Sequence, residues 1–114
     1  MNTLPRFADA VIEPSKLRYV LDDVHPVGKH KARVMKAALG LEHGSERILE
    51  RMIRDGISVH PATLRQTFLD GTERWVVEWA VLGRIGPMRF VTAWERRKHR
   101  PPRLVSCYLK EARR

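Results

Sequence analysis

The chain has 114 residues, of which 43% are hydrophobic, and its 22 Lys and Arg against 13 Asp and Glu give a formal net charge of +9. This length suits a single domain with a modest core, and no apolar run is long enough to span a membrane. The lone cysteine, Cys107, excludes an internal disulfide and a cysteine-based zinc site, and Met1–Arg6 lacks the pattern of a signal peptide, so we expect a soluble, cytoplasmic protein.

The first predicted elements are an arm and a short helix. Ala8–Ile12 is an apolar run that fits either a short edge strand or an extended arm, and Pro14 ends it. Ser15 is then a suitable N-cap for a helix over Lys16–Leu21, whose apolar residues share one face.

Two longer helices follow. The central helix carries an apolar stripe and ends at Gly40, where a C′ glycine belongs. The next helix has Ser45 as N-cap and stops at Asp55-Gly56, with Ile57–Pro61 as a connector. Its predicted apolar face consists of Ile48, Leu49, Met52 and Ile53.

The start of the central helix is crowded with residues that can be cationic. These are His25, Lys29, His30, Lys31 and Arg33. A helix N-terminus already carries partial positive charge, and a bound phosphate or other anion would relieve the conflict. The alternative is that these side chains simply extend into solvent. Lys31 falls at the end of the buried stripe, where it either snorkels or meets an anion.

The second half of the chain predicts an antiparallel meander, because the apolar period changes to two and Asp70-Gly71 is a strong hairpin turn. The expected strands are Ala62–Leu69, Arg74–Leu82, Met88–Arg96 and Arg103–Leu109. A mainly helical part over residues 1–56 and a meander over residues 62–109 predict one α+β domain across residues 1–114. In that domain two or three helices pack on one face of a four-stranded antiparallel sheet.

The fourth predicted strand has one uniformly apolar set, which we expect in the core: Val105, Cys107 and Leu109. The opposite face then carries Leu104, Ser106 and Tyr108. On an open face Ser106 and Tyr108 are free to bind a phosphate or to stack on a base.

The positive charge is concentrated near the C-terminus. Residues 1–83 hold 12 basic and 11 acidic residues, whereas residues 84–114 hold 10 basic and 2 acidic residues. Such asymmetry favours a polyanionic partner, with nucleic acid first and an acidic protein second, although a merely solvated basic face is the alternative. The expected phosphate-binding residues are Lys29, Arg33, Arg96, Arg97, Lys98 and Arg100.

The candidates for proton transfer are His25 and His30, since histidine titrates near neutrality and these two flank the helix start. A plain hydrogen-bonded role is the alternative for both. No P-loop, nucleophile elbow or convincing metal set occurs, so we predict neither metal nor cofactor. RNA supplies its own nucleophile, the 2′-hydroxyl, and histidines beside a Lys/Arg cluster therefore suit metal-independent RNA cleavage.

Three segments carry a family resemblance: His25–Val34, Val91–Trp94 and Arg103–Tyr108. They resemble a bacterial domain family of unknown function, whose members stand alone beside small partner genes or form C-terminal modules of polymorphic toxins. The resemblance to this family extends over about residues 4–109. The layout is also similar to the barnase–EndoU–colicin–RelE group of metal-independent ribonucleases.

This resemblance implies a RelE/barnase-like toxin that cleaves RNA to 2′,3′-cyclic phosphate ends and is covered by an acidic antitoxin or immunity protein. The implied catalytic set is His25, His30, Lys31, Ser106 and Tyr108. One alternative is a non-catalytic nucleic-acid-binding or regulatory module that uses the basic sheet face. Another is an interaction module whose basic face serves only an acidic protein.

Overall fold

The computed structural model describes residues 2–24 and 29–112, and within these ranges helices precede a single sheet. A 3-10 turn at Phe7–Asp9 is followed by α1 (Pro14–Val20), α2 (Lys29–Leu39) and α3 (Glu46–Val59), then by β1 (Ala62–Thr67), β2 (Glu73–Gly83), β3 (Gly86–Arg96) and β4 (Arg103–Glu111). The strands pair antiparallel in the order β1-β2-β3-β4, which confirms the predicted α+β fold. None of the described helices has the length and apolarity needed to cross a membrane.

The N-terminal segment is an arm that runs beside β4. Val11 forms an isolated parallel bridge with Arg103, in which Val11 donates to the Pro102 carbonyl at 2.8 Å and accepts from the Leu104 amide at 2.9 Å. α1 begins at Pro14 rather than after Ser15, so the predicted Ser15 cap is wrong. Proline is favoured in the first turn of a helix because its fixed φ suits the helix and its missing N–H would have no partner there.

One face of the sheet packs against the helices and forms one side of the hydrophobic core. The register pairs Trp75 with Trp94 and Trp79 with Phe90, so these rings point to the same side. The helices bury Leu17, Met35, Leu49 and Ile53 in the same cluster. Thr92 is the one buried polar residue on that face within the described chain, and its hydroxyl donates to the Val77 carbonyl and accepts from the Trp94 indole, both at 2.8 Å. The buried hydroxyl is therefore fully satisfied.

A β-bulge in β4 changes which of its residues are buried. Ser106 lies opposite Ala93 and Leu104 opposite Trp94, which leaves Val105 as the extra residue. Leu104 is therefore only 1% exposed, whereas Val105 is 38% exposed, and the prediction for these two residues was wrong. One inserted residue reverses the alternation on its N-terminal side, while the pattern after it is unchanged.

α3 does not end at Asp55-Gly56 as predicted, but continues to Val59. A Cβ atom on Gly56 would lie 2.2 Å from Cζ2 of Trp79, so the glycine is required by close helix–sheet packing rather than by a turn. Trp79 in turn stacks on Phe90, with ring centroids 5.1 Å apart. Ile48, predicted on the apolar face of this helix, is 60% exposed.

β1 is a weakly covered edge strand. It pairs with β2 and has a register irregularity at Arg65, between Leu64 and Gln66. Apart from Ala62, all of its residues are exposed. The helices therefore cover the β2–β4 part of the sheet much more completely than they cover this edge.

We expect Gly56→Ala to destabilise the domain by about 2–3 kcal/mol, because the new methyl group would overlap the Trp79 indole. In an unobstructed helix the same change stabilises by roughly 1 kcal/mol, so the sign of the effect is diagnostic. The free energy of unfolding in urea measures it. Asp55→Ala, at the exposed neighbouring position, is the control and should stay within about 0.5 kcal/mol of wild type. A Gly56→Ala variant as stable as wild type would contradict the packing described here.

Candidate functional site

The N-terminus of α2 meets the sheet at its β4 edge. The Lys31 ammonium lies 4.6 Å from the centroid of the Tyr108 ring, which is a cation–π contact. In the structure's described ranges, Lys31 has no Asp or Glu within 4.0 Å. The ring holds the ammonium in place without neutralising its charge, so Lys31 keeps its full attraction for an anion.

Ser106 and Tyr108 lie on the same face of β4, which is the face turned away from the core. Their partners across the ladder are Ala93 and Val91. Residues two apart on a strand are separated by roughly 7 Å, so both hydroxyl-bearing side chains lie within reach of one phosphate-sized group. We call Lys31, Ser106 and Tyr108 together the β4 surface. The structure thus brings together three of the five predicted catalytic residues.

The remaining residues of the helix start are less closely associated with this surface. His30 is exposed, and no hydrogen bond joins it to Ser106 or Tyr108. Lys29 is half-buried, while Arg33 is exposed and lines a separate shallow pocket. His25 lies outside the described residues, so its predicted role in proton transfer stays a prediction.

A second site lies at the end of the sheet where the β1–β2 turn faces the β3–β4 loop. Here a cleft of about 970 Å³ opens to solvent. Its basic lining residues are Arg74, Arg97, Lys98, Arg100 and Arg103, and its acidic ones are Asp70 and Glu95. Phe68 adds an aromatic ring that is 37% exposed. We call this site the basic cleft.

Ion pairing separates the cations of the basic cleft into two groups. Arg74 contacts Glu95 at 3.6 Å, and Arg103 contacts Glu13 at 3.1 Å. The three loop residues, Arg97, Lys98 and Arg100, form no ion pair with any residue that the structure describes. The uncompensated charge of the cleft therefore belongs to the loop.

Arg96 is one of the residues predicted to bind phosphate, but its surroundings differ from those of the loop cations. It shares its strand face with Trp94, toward the helices, and it contacts Glu73 at 3.3 Å. Its Nε is buried without a hydrogen-bond partner in the described chain. Glu73 also accepts from the Trp75 indole at 3.1 Å, so this arginine belongs to a local structural network rather than to the basic cleft.

The sequence prediction missed Phe68, Arg74 and Arg103 as members of the cleft. They come from a turn and two strands, and the ladder aligns Arg74 with Glu95 and Glu95 with Arg103 across the sheet. An exposed aromatic residue close to the Asp70-Gly71 turn was the available signal for Phe68. The two arginines show no such signal, because only the strand register brings them to this end.

Three ionisable groups near these sites have shifted pKa values. The backbone amide of Thr72 holds the pKa of Asp70 below 3.8, which keeps the turn carboxylate charged. The hydrogen bond from Arg89 lowers the pKa of Glu78 below 4.5, although partial burial opposes this. Burial raises the pKa of Cys107 to about 12, so its thiol stays protonated and is a poor nucleophile even with Lys31 nearby.

Metal and cofactor ligands were not predicted from the sequence. Over residues 2–24 and 29–112, no three His, Cys, Asp or Glu side chains gather closely enough to hold a metal ion. His25 is not included in that search. The sequence prediction on metals and cofactors therefore stays a prediction.

The fold and the two sites define a small, strongly basic α+β domain with uncompensated cations at one edge and one end of an open sheet. Residues 3–111 match the family described as a domain of unknown function, DUF6883, and the chain therefore belongs to that family. No curated protein and no solved structure matches the chain. Membership of a family of unknown function, as expected from the sequence, is confirmed, whereas the resemblance to the ribonuclease group stays a prediction.

The pKa of Glu78 predicts a specific dependence of stability on pH. Its carboxylate accepts from Arg89 at 2.9 Å and contacts Lys110 at 3.5 Å. Because its pKa is lowered by folding, this group stabilises the domain above pH 4.5 and loses that contribution as the pH falls through the folded-state value.

We therefore expect Glu78→Gln to cost about 1 kcal/mol at pH 7 and progressively less as the pH falls below 4.5. Urea unfolding at several pH values measures the difference. Glu111→Gln is the control, since Glu111 is exposed and forms no ion pair in the described chain. An equal cost of Glu78→Gln at every pH would show that the charge of Glu78 is irrelevant.

Proposed function

We propose that this domain is the toxin component of a toxin–antitoxin or toxin–immunity pair and that it cleaves RNA without a metal ion, acting in the cytoplasm. The observation that carries the proposal is the β4 surface, where the Lys31 ammonium lies 4.6 Å from the Tyr108 ring centroid and forms no ion pair with an acid in the described part of the chain. A charge held by an aromatic ring remains available to a phosphate, whereas a charge paired with a carboxylate does not.

The proposed reaction is an attack by the 2′-hydroxyl of RNA on the adjacent phosphorus. A bond forms from the 2′-oxygen to phosphorus as its proton passes to a base, and the bond to the 5′-oxygen of the next nucleotide breaks as that oxygen takes up a proton. The products are a 2′,3′-cyclic phosphate and a free 5′-hydroxyl. Negative charge develops on the phosphorane oxygens, and electrostatic stabilisation of such charge is a large part of catalysis.

The residues of the β4 surface suit this reaction in distinct roles. Lys31 stabilises the phosphorane, and the Ser106 and Tyr108 hydroxyls donate to its non-bridging oxygens. His30 is the candidate base or acid within the described chain, and His25 is the second. His30 is exposed and forms no hydrogen bond with either hydroxyl, so the proposal requires the substrate to lie between His30 and the β4 surface.

The charge of the protein also supports an acidic cognate partner. A chain with net charge +9 attracts an acidic antitoxin or immunity protein over long range. Such a partner would inhibit cleavage by covering the β4 surface, where Lys31 offers an unpaired charge.

A second candidate function is supported by the basic cleft. Three loop cations that form no ion pair provide affinity for a polyanion, and no histidine lines the cleft, among the residues that the structure describes. This arrangement favours a non-catalytic nucleic-acid-binding or regulatory module. Such a module would show a steep salt dependence of affinity and no turnover.

The test is incubation of the purified protein with total RNA and tRNA in excess EDTA, followed by mapping of the fragment ends. We expect cyclic-phosphate ends with wild type and a rate about 100- to 1000-fold lower with Lys31→Ala, the typical cost of removing one stabilising donor. The His30→Ala/Lys31→Ala double variant should lose cleavage. Lys16→Ala, an exposed lysine on α1, removes the same charge elsewhere and should cleave normally.

A pair of Tyr108 variants separates the ring from the hydroxyl. Tyr108→Phe keeps the contact with Lys31 and should cost roughly tenfold, as expected for one hydrogen bond. Tyr108→Ala releases Lys31 as well and should approach the Lys31→Ala rate. Intact RNA with wild-type protein would rule out unaided, metal-free catalysis, and a gel shift in the same samples would then favour the binding module.

A further inference from the structure

The basic cleft has the components of a binding site for a flexible nucleic-acid strand. Its loop supplies Arg97, Lys98 and Arg100, none of which forms an ion pair with a described residue, although Arg97 lies close enough to Asp70 to help lower the pKa of that carboxyl. Its turn supplies the exposed ring of Phe68. The Arg74 guanidinium lies 5.6 Å from the centroid of that ring, so one end of the cleft combines an aromatic surface with a planar cation. These two groups are the ones on which unpaired bases stack.

The walls of the cleft are fixed before any ligand binds. The loop is closed by a hydrogen bond from the Arg100 amide to the Arg97 carbonyl at 2.9 Å. His99, with φ of 61°, turns its carbonyl toward Arg6, whose guanidinium donates to it at 3.1 Å. On the facing wall the Asp70 carboxylate accepts from the Thr72 amide at 2.9 Å. The backbone of both walls is thus ordered in advance, so the free energy lost in ordering the protein on binding comes mainly from the exposed loop side chains.

The chemistry of the cleft favours a nucleic acid over an acidic peptide. Asp70 and Glu95 also line it, and these carboxylates would repel the phosphates of a nucleic acid as well as the side chains of an acidic peptide. A nucleic acid offsets this repulsion, because carboxylates accept hydrogen bonds from the amino groups of bases. Loop cations for phosphates, a ring for stacking and carboxylates for base edges match the three parts of a nucleotide.

We propose that the basic cleft binds single-stranded nucleic acid, with a base stacked against Phe68 and Arg74 and phosphates on the loop cations. Paired bases within a duplex offer no free face to Phe68, so a duplex would bind only through its phosphates. The inference rests on the proposed function for the nature of the ligand and identifies the single strand as the form that the domain accepts.

The cleft and the β4 surface lie on one strand. Arg103 lines the cleft and Tyr108 belongs to the β4 surface, and with one residue taken up by the bulge they are separated by roughly 13 Å along β4. A single nucleic-acid chain can therefore contact the cleft and the β4 surface at the same time. The cleft is then a substrate-binding site beside the reaction, rather than part of the chemistry.

The experiment measures fluorescence anisotropy with a labelled 12-nucleotide strand in EDTA at several salt concentrations. The strand is 2′-O-methyl RNA, which has no free 2′-hydroxyl and cannot be cut by the proposed reaction. A DNA strand of the same sequence and a blunt duplex are measured in parallel. Equal affinity for the RNA and DNA strands would show that the cleft binds single strands whatever their sugar. Tighter binding of the RNA strand would show that the cleft is specific for RNA.

The variants separate the phosphate and base contributions. Arg97→Ala/Lys98→Ala/Arg100→Ala should lower the salt dependence, measured as the slope of log K against log salt, by about 2, at about 0.7 per lost phosphate contact. Phe68→Ala should weaken single-strand binding about tenfold and leave duplex binding nearly unchanged. The control triple variant, Lys16→Ala/Arg47→Ala/Arg51→Ala, removes the same charge from exposed helix positions outside the cleft.

Preference for the strand over the duplex, with losses specific to the cleft variants, is the expected result. Equal losses in the two triple variants, or tighter binding of the duplex, would overturn the proposal. Cleavage of unmodified RNA is scored separately with wild type and Lys31→Ala. Strand binding without RNA cleavage would overturn the proposed ribonuclease activity and support the proposed cleft. RNA cleavage without a preference for single strands would support the ribonuclease activity and overturn the proposal for the cleft.

Discussion

Burial of one sheet face against the helices is the constraint on which the rest of the structure depends. Trp79, Phe90 and Trp94 take the inner face, and α3 approaches so closely that position 56 has no room for a side chain. The outer face carries Ser106 and Tyr108 together with valine and alanine residues such as Val91 and Ala93. α2 crosses toward the β4 edge, and Lys31 consequently meets a tyrosine from the outer face. Because the helices cover the inner face of the sheet, both candidate sites involve residues of the outer face.

The distribution of acids determines where the positive charge of this protein is effective. Glu78 contacts Arg89 and Lys110, and Glu73 contacts Arg96, so much of the charge counted in the C-terminal third is compensated within the sheet. Each such pair contributes little to stability at the surface, but it removes a cation from the set available to a ligand. Among the described residues, the cations without an ion pair include Arg97, Lys98 and Arg100 of the β3–β4 loop and Lys31 at the start of α2.

The period-two pattern of β2 and β3 was enough to predict the sheet, because the large apolar residues Trp75, Val77 and Trp79 share one face of β2 and the turns carry glycine. Three features were beyond such a pattern. The bulge at Val105 depends on how β4 pairs with β3, and Gly56 depends on a tryptophan that lies 23 positions later in the chain. The basic cleft depends on the register of the ladder. All three are set by tertiary contacts, whereas residues chosen within one segment, such as Ser106 and Tyr108, were oriented correctly.

The irregular register of β1 affects how this domain meets other copies of itself. An edge strand normally offers a row of free backbone groups on which a neighbouring chain can add a strand, and such addition leads to aggregation. Here Arg65 lies at the irregularity, between Leu64 and Gln66. A second copy adding antiparallel about this position would have to straighten the edge and bring two guanidinium groups together. Addition of a second copy at the β1 edge is therefore disfavoured, even though β1 is the strand least covered by the helices.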